Sequence, residues 1–214
     1  MRIAIAGAGN VGRAIARELL DNGHQVLLID KNPKAMKMQS VPDAEWLMAD
    51  ACEITSLDNA KLNNCQVLVA ATGDDKVNLV ASLLGKTEYG IPRVVARINH
   101  PKNEWLFDSS WGVDVAVSTP RIISALVEEA VSVGDVVRLF SFRKGQANLV
   151  ELTLPDTSSC IGKTVEEIEL PDNASLAAIV RDGQVIACSA HDVFAAGDEL
   201  LFVASAAAEA QIKA

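Results

Sequence analysis

The sequence predicts an α/β fold: a Rossmann-like doubly wound parallel sheet, followed by a small α+β domain. Three observations carry this reading. Short apolar runs alternate with helical stretches from Ile3 to Val133. A glycine turn, Gly7-Ala8-Gly9-Asn10-Val11-Gly12, separates the first strand from the first helix. From Gly134-Asp135 onward the strands are short and come in pairs joined by tight turns.

Ile3 to Ala6 reads as a buried strand of small apolar residues. The helix after it carries Val11, Ile15 and Leu19 at four-residue spacing, which predicts one apolar face. Asp21-Asn22-Gly23 closes the helix, with Gly23 suited to a left-handed position. The three motif glycines have separate tasks. Gly7 permits the tight turn, Gly9 lets backbone approach a pyrophosphate, and Gly12 lets the helix pack close to the strand. The helix N-terminus then offers free N–H groups to phosphates.

A second strand, Gln25 to Ile29, ends at Asp30. This acid follows Gly12 by 18 residues, near the roughly 20-residue spacing of a carboxylate that binds ribose hydroxyls. A carboxylate there favours a free 2′-OH and repels a 2′-phosphate, although the adjacent Lys31 is a cation able to tolerate one. Asn32-Pro33-Lys34 turns into a short helix, to about Met38. Trp46 to Ala49 reads as a third strand. Two roles are open to Asp50 beyond it: contact with adenine, together with Ala51, or the cap of a helix from Thr55 to Asn63.

Val67 to Ala71 is a fourth strand, apolar throughout as a central parallel strand requires. Thr72-Gly73-Asp74-Asp75 follows. Gly73 lets the loop pass close to a ligand, and Asp74 caps a helix with Val77, Val80, Ala81 and Leu84 on one side. Arg93 to Ile98 is a fifth strand. Arg97, near its carboxyl end, faces the phosphates, a neighbouring subunit or solvent. Pro101 starts a helix bearing Trp105-Leu106-Phe107, which serve the core or a dimer surface. Val113 to Val117 is a sixth strand, and Pro120 fits the first turn of a helix from Arg121 to Val133.

The second part holds two expected hairpins. Val136 to Arg143 and Asn148 to Leu154 flank Lys144-Gly145-Gln146. Ala177 to Val180 and Gln184 to Ala187 flank Arg181-Asp182-Gly183. Thr164 to Ile168 reads as a helical turn, Glu199 to Ala204 as a last strand and Ser205 to Ala214 as a terminal helix. The expected domains are 1–134, with a connecting helix at 121–133, and 135–214.

Half of the 214 residues are hydrophobic, enough for a sizeable core. No run approaches the roughly 18 apolar residues of a membrane span, and the chain enters its first strand at once, leaving no room for a signal peptide. A net charge of −9 argues against a nucleic-acid partner. Cys52, Cys65, Cys160 and Cys188 show no metal or redox spacing and read as reduced thiols. The three histidines are equally scattered, so no metal site is expected.

With both parts placed, the chain resembles the TrkA family of cytoplasmic regulators of Trk-type potassium uptake: an RCK (KTN) domain followed by a TrkA-C domain. The resemblance covers essentially the whole chain. It rests on Gly7 to Gly12; on Ala70-Ala71-Thr72-Gly73-Asp74-Asp75 with Asn78-Leu79-Val80; on Val95 to Asn103; on Gly112-Val113-Asp114 leading to Ser118-Thr119-Pro120; and on Gly197 to Val203. It implies a non-enzymatic protein that binds NAD(H), with ATP or ADP as the alternative. It further implies a homo-oligomer, dimer or tetrameric ring, on the inner face of the membrane beside a potassium-translocating subunit of TrkH/TrkG type. The implied ligand contacts are Gly7, Ala8, Gly9, Asn10, Val11 and Gly12 for the phosphates, Asp30 with Lys31 for the ribose, Asp50 and Ala51 for adenine, and Thr72, Gly73 and Arg97 along the cleft. ATP-responsive relatives often carry arginine where this chain has Asn10, which leans the reading toward NAD(H). Asp50-Ala51-Cys52-Glu53 also departs from the family's more usual Gly-Asp-Ala-Thr/Ser-Asp.

Two other functions compete. A small NAD-dependent oxidoreductase needs an acid or base near the nicotinamide. The sole tyrosine, Tyr89, has Arg93 where a Tyr-x-x-x-Lys pair would need lysine, which leaves His100 as the candidate. A nucleotide-sensing regulator of another cation transporter has the same fold and differs only in its partner surface.

Overall fold

The computed structural model describes residues 1–131, 133–142, 147–186 and 188–212, with backbone only at 129 and 130. Its contacts divide the chain into two compact units, 1–120 and 121–214.

The first unit is built on six parallel strands: β1 (Arg2–Ala6), β2 (Gln25–Asp30), β3 (Glu45–Met48), β4 (Val67–Ala70), β5 (Arg93–Ile98) and β6 (Val115–Ser118). Their order across the sheet is β3-β2-β1-β4-β5-β6. Chain order therefore reverses between β1 and β4, where Ile3 pairs with Val67 and Ala6 with Ala70. Such a reversal opens a crevice at the carboxyl ends of the two strands. Side-chain alternation feeds two cores. Ala4, Ala6, Leu27, Ile29, Leu68 and Ala70 pack on one face of the sheet, and Ile3, Ile5, Val26, Leu28 and Val69 on the other.

The helices are α1 (Asn10–Asp21), α2 (Ile54–Asn59) and α3 (Asp75–Thr87). Two inward faces differ from expectation. In α1 the buried residues are Gly12, Arg13 and Ala16, whereas Ile15 and Leu19 are half-buried and Val11 is exposed. In α3 the buried set is Asp75, Asn78, Leu79, Ala81, Ser82 and Gly85, with Val77, Val80 and Leu84 half-buried. The cause is common to both. Small residues let each helix axis approach the sheet, and the larger apolar side chains then splay to the flanks. The expected helix at 33–38 is two 3₁₀ turns, Pro33–Ala35 and Met38–Ser40, and the one after Pro101 is a 3₁₀ helix, Pro101–Leu106. On it Trp105 is exposed and Phe107, just beyond, is buried. Helix α2 ends early because Lys61 turns left-handed (φ 50°) into a 3₁₀ turn at Leu62–Asn64.

Helix α4 (Thr119–Val131) runs across the division between the units. The second unit is an antiparallel sheet of β7 (Val136–Ser141), β8 (Asn148–Thr153), β9 (Ala174–Arg181), β10 (Gln184–Ile186) and β11 (Glu199–Ala204), in the order β10-β9-β11-β8-β7. Val150, Leu152, Ile179, Leu200 and Phe202 centre its core. Asp182 and Gly183 are both left-handed (φ 51° and 74°), as a two-residue hairpin turn between right-twisted strands demands. The expected terminal helix is only α5 (Ala206–Glu209). Ile212, beyond it, is drawn into the core instead. Arg143, the turn Lys144-Gly145-Gln146, Ser132, Ala187 and positions 213 and 214 lie outside the described residues.

Candidate functional site

The glycine turn occupies the crevice between β1 and β4. Gly7 has φ +109°, and a Cβ there would stand 2.8 Å from the Thr72 nitrogen and 2.9 Å from the Ala71 carbonyl carbon. Only glycine lets the β4 end close over the turn. A Cβ on Gly12 would strike the Gly7 carbonyl oxygen, so Gly12 sets how closely α1 meets β1. Gly9 differs from both. It has ordinary extended geometry (φ −65°, ψ −172°), and a Cβ there would have nothing within 4 Å. The open side of the turn is at Gly9. As the N-cap of α1, Gly9 supplies no side-chain cap, and no acid lies in the first turn. The leading amides of α1 are thus left for water or a ligand.

Asp30 braces this turn. Its Oδ2 accepts from the Ala8 amide at 2.8 Å, and its Oδ1 accepts from the Asn32 amide at 2.8 Å. The carboxylate is fixed in orientation beside the turn and keeps lone pairs for further donors. Next to it, Lys31 Nζ meets Asp50 Oδ2 at 2.9 Å, while Asp50 Oδ1 accepts from the Cys52 amide at 2.9 Å. The Cys52 amide and the Lys31 ammonium hold the Asp50 carboxyl below its usual range, and Asp50 raises Lys31. Burial pushes the Cys52 thiol up. Ala51 is buried. Asp50 does not cap α2, whose N-cap is Glu53; the Lys31 pair and the local turn claim its oxygens instead.

Thr72 is held from the opposite side by Asn78, whose Oδ1 accepts from the Thr72 amide at 2.9 Å and lies 2.6 Å from the Thr72 hydroxyl. Asn78 Nδ2 donates to the Arg97 carbonyl at 2.8 Å. Asp75 ties the ends of β4 and β5 by accepting from the amides of Asn99 and His100 and from the side chain of Asn103. Burial raises the Asp75 carboxyl, but these bonds outweigh it and the net shift is downward. Asp74 caps α3 through the Lys76 amide at 2.8 Å, as expected. Gly73 is exposed.

The structure therefore gathers Gly7 to Gly12, Asp30 and Thr72 around one crevice. Lys31, Asp50 and Ala51 sit at the ends of β2 and β3 on its flank. Arg97 lies at the end of β5, its carbonyl accepting from Asn78 Nδ2 and its Nε donating to Thr119 Oγ1 at 3.3 Å. Three residues at this crevice had no role assigned from sequence alone: Arg13, and Asp75 and Asn78, which appear there only within the motif that carries the resemblance. The available signal was a polar residue at an inward position of a helix. Arg13 is only 7% exposed, and its guanidinium donates to the Ala8 carbonyl and to Asn10 Oδ1.

The sole tyrosine and the acid–base candidate His100 both take part in structural bonds. The Tyr89 hydroxyl bonds Ile54 O at 2.9 Å and Asp58 Oδ1 at 2.8 Å, and burial together with Asp58 pushes it up to about 12. His100 Nδ1 accepts from the Lys102 amide as the cap of a 3₁₀ helix. Among the described residues no group of His, Cys, Asp and Glu could hold a metal ion, and no helix is long and apolar enough to cross a membrane.

Comparison with known proteins agrees with this geometry. The TrkA-N domain model matches residues 3–119 and the TrkA-C domain model residues 149–214. The chain belongs to the TrkA family. It is 54% identical over 212 residues to the Trk system potassium uptake protein TrkA of Mycobacterium tuberculosis, covering 99% of this chain and 96% of that one. It is 30% identical to a TrkA homolog of Methanothermobacter thermautotrophicus, covering 87% of this chain and 85% of the relative. Among solved structures the GsuK channel bound to NAD superposes with a TM-score of 0.68 at 17% identity, over 96% of this chain and 37% of that one. The TrkA-N domain of the Escherichia coli inner membrane protein ybaL superposes at 0.56 and 14% identity, over 61% of this chain. These two likenesses establish the fold. The TrkA-family chain spans less than half the length of the GsuK chains it matches.

Proposed function

We propose that this chain is a cytoplasmic regulatory subunit of a Trk-type potassium uptake system, binding NAD(H) at the glycine turn, with ADP or ATP as the alternative ligand. Residues 1–134 carry the nucleotide site and 135–214 a regulatory domain. The observation that carries the proposal is the uncapped start of α1 beside the open space at Gly9. Backbone amides aimed into a crevice at a strand-order reversal suit a pyrophosphate. Asp30, fixed beside the turn, suits a free 2′-OH. Lys31 is paired with Asp50, which weakens any offer to a 2′-phosphate.

The names of the relatives support the potassium-uptake role. A GsuK structure bound to NAD is similar in fold over 96% of this chain, and another bound to ADP over 60% of it. Tyr89, held by Ile54 and Asp58, favours regulation over catalysis. The chain acts as a homo-oligomer against a membrane potassium-translocating subunit at the inner face of the membrane. Exposed Ile123, Val127 and Val131 on α4, and Trp105 on the first unit, suit such contacts. The mechanism is population shift: nucleotide favours the assembly geometry it binds better, and it moves the partner only by that difference in affinity.

Calorimetric titration with NADH, NAD, ADP and ATP, repeated on Asp30→Ala, tests the ligand assignment. The expected result is NADH binding that weakens in the variant, without turnover of carbonyl substrates. Absence of binding by all four would refute it.

A further inference from the structure

The glycine turn carries a positive charge that its motif does not require. Arg13 follows the third glycine and lies on the buried face of α1. Its guanidinium donates to the Ala8 carbonyl and, at 2.7 Å, to Asn10 Oδ1. Among the described residues no carboxylate forms an ion pair with it. Asp30, the acid at this turn, bonds the Ala8 and Asn32 amides instead. The location is poor for a cation on two counts. It is nine-tenths buried, where an unpaired charge is costly. It also lies at the N-terminal, positive end of the helix dipole. An anion seated on the first turn of α1 relieves both.

A second feature connects Arg13 to that anion. A guanidinium only donates, so Asn10 must turn its oxygen toward Arg13. The Asn10 Nδ2 group then faces away, on an exposed side chain at the start of α1. It is a donor held in one orientation beside the uncapped amides. Asparagine brings no charge to this position, and Arg13 supplies it from beneath.

The geometry points to Arg13 as a positioning residue for a pyrophosphate group: it locks the Asn10 carboxamide so that Nδ2 donates to the phosphates, and its charge is the one they neutralise. The ligand class is a nucleoside diphosphate or dinucleotide. The inference rests on the nucleotide reading above and adds which side chains set the affinity for its phosphates.

The test uses the full chain and four variants: Arg13→Gln, Arg13→Lys, Asn10→Ala, and Asn10→Ala combined with Arg13→Gln. The probes are ADP and NADH by calorimetry at low and high salt, adenosine by competition, and inorganic pyrophosphate by thermal shift. Arg13→Gln should weaken ADP roughly 10-fold or more, the scale of a lost hydrogen bond to a charged group, and flatten its salt dependence. Adenosine affinity should not change. Arg13→Lys should restore the salt dependence and part of the affinity. The double variant should lose little beyond Arg13→Gln, since both changes cut one relay. Unchanged ADP affinity in Arg13→Gln overturns the inference while leaving the nucleotide reading intact. Parallel loss of adenosine and ADP overturns it too, by showing a merely structural role, and additive losses overturn the relay through Asn10. If the natural chain takes neither ADP nor NADH, yet pyrophosphate raises its melting temperature only when Arg13 is present, the inference stands and the nucleotide reading falls. If pyrophosphate also has no effect, both fall.

Discussion

Alanine substitution at Gly9, Gly12 and Gly7 separates binding from folding within one turn. At Gly9 the new methyl meets nothing within 4 Å, and φ −65° suits any residue. Alanine is a poorer N-cap than glycine by up to about 1 kcal/mol. It also restricts the unfolded chain, a gain of roughly 0.4–1 kcal/mol. The two offset, so stability should hold within about 0.5 kcal/mol. Binding should not. The methyl fills the open space that the proposal assigns to pyrophosphate, and crowding of that kind costs roughly 1–3 kcal/mol, or about 5- to 150-fold in affinity. At Gly12 the methyl strikes the Gly7 carbonyl oxygen, a backbone atom that yields only if α1 moves. A cost of about 3 kcal/mol, less about 1 kcal/mol of helix propensity, leaves about 2 kcal/mol, or roughly 4–8 °C in melting temperature for a chain of this size. At Gly7 the contacts with Thr72 and Ala71, at 2.8–3.0 Å, are milder than the one at Gly12, but the positive φ adds about 1–2 kcal/mol. Thermal melts and NADH titrations on all three variants provide the assay. If Gly9→Ala binds NADH like the natural chain, or melts as low as Gly12→Ala, the assignment of the open side of the turn is refuted.

Other outcomes follow from the same contacts. Asn78→Ala strips partners from the Thr72 amide and from the Arg97 carbonyl; it should cost about 2–3 kcal/mol in urea melts and weaken NADH binding through Thr72. In the second unit Asp198, fully buried, holds Arg181 at 2.6 Å; because Arg181 itself is partly exposed, Asp198→Asn should cost about 1.5–3 kcal/mol, the scale of hydrogen bonds to a charged group, by the same assay. Burial raises the Asp198 carboxyl, but Arg181 and the Ala195 amide outweigh it and leave it depressed. Its stabilisation is therefore complete above the ordinary aspartate range of about 3.9 and is lost as pH falls through the folded value; acid melts should show this loss and Asp198→Asn should lack it. Lys31→Ala should leave both the melting temperature and the NADH-over-NADPH preference unchanged, since the proposal assigns that preference to Asp30; loss of the preference in parallel titrations would contradict this.

Much of this was legible in the sequence because it rests on backbone requirements. Gly7 and Gly12 are demanded by a positive φ and a close approach, and strands such as Arg93–Ile98 and Glu199–Ala204 carry apolar runs that only a sheet buries. The spacing from Gly12 singled out Asp30, which lies beside the turn and bonds the Ala8 amide. The hidden part depends on helix rotation. A four-residue apolar spacing predicted that α1 would bury Val11, yet the close approach at Gly12 turned Arg13 inward. The same effect in α3 buried Asn78 and Ser82. Periodicity follows the bulky apolar residues, and here, Leu79 aside, small and polar ones take the buried positions. Asp50 was ambiguous for a different reason: its partner, Lys31, lies across two strand ends and leaves no local mark.

The central claim is that a nucleotide at the glycine turn changes transport by a membrane partner. The most direct measurement is potassium flux into vesicles carrying the membrane potassium-translocating subunit, with this chain added, with and without NADH or ADP, and with Gly9→Ala as the folded control. The account predicts a nucleotide-dependent change in flux with the natural chain and none with Gly9→Ala. A flux indifferent to nucleotide, or equally responsive with Gly9→Ala, would contradict it.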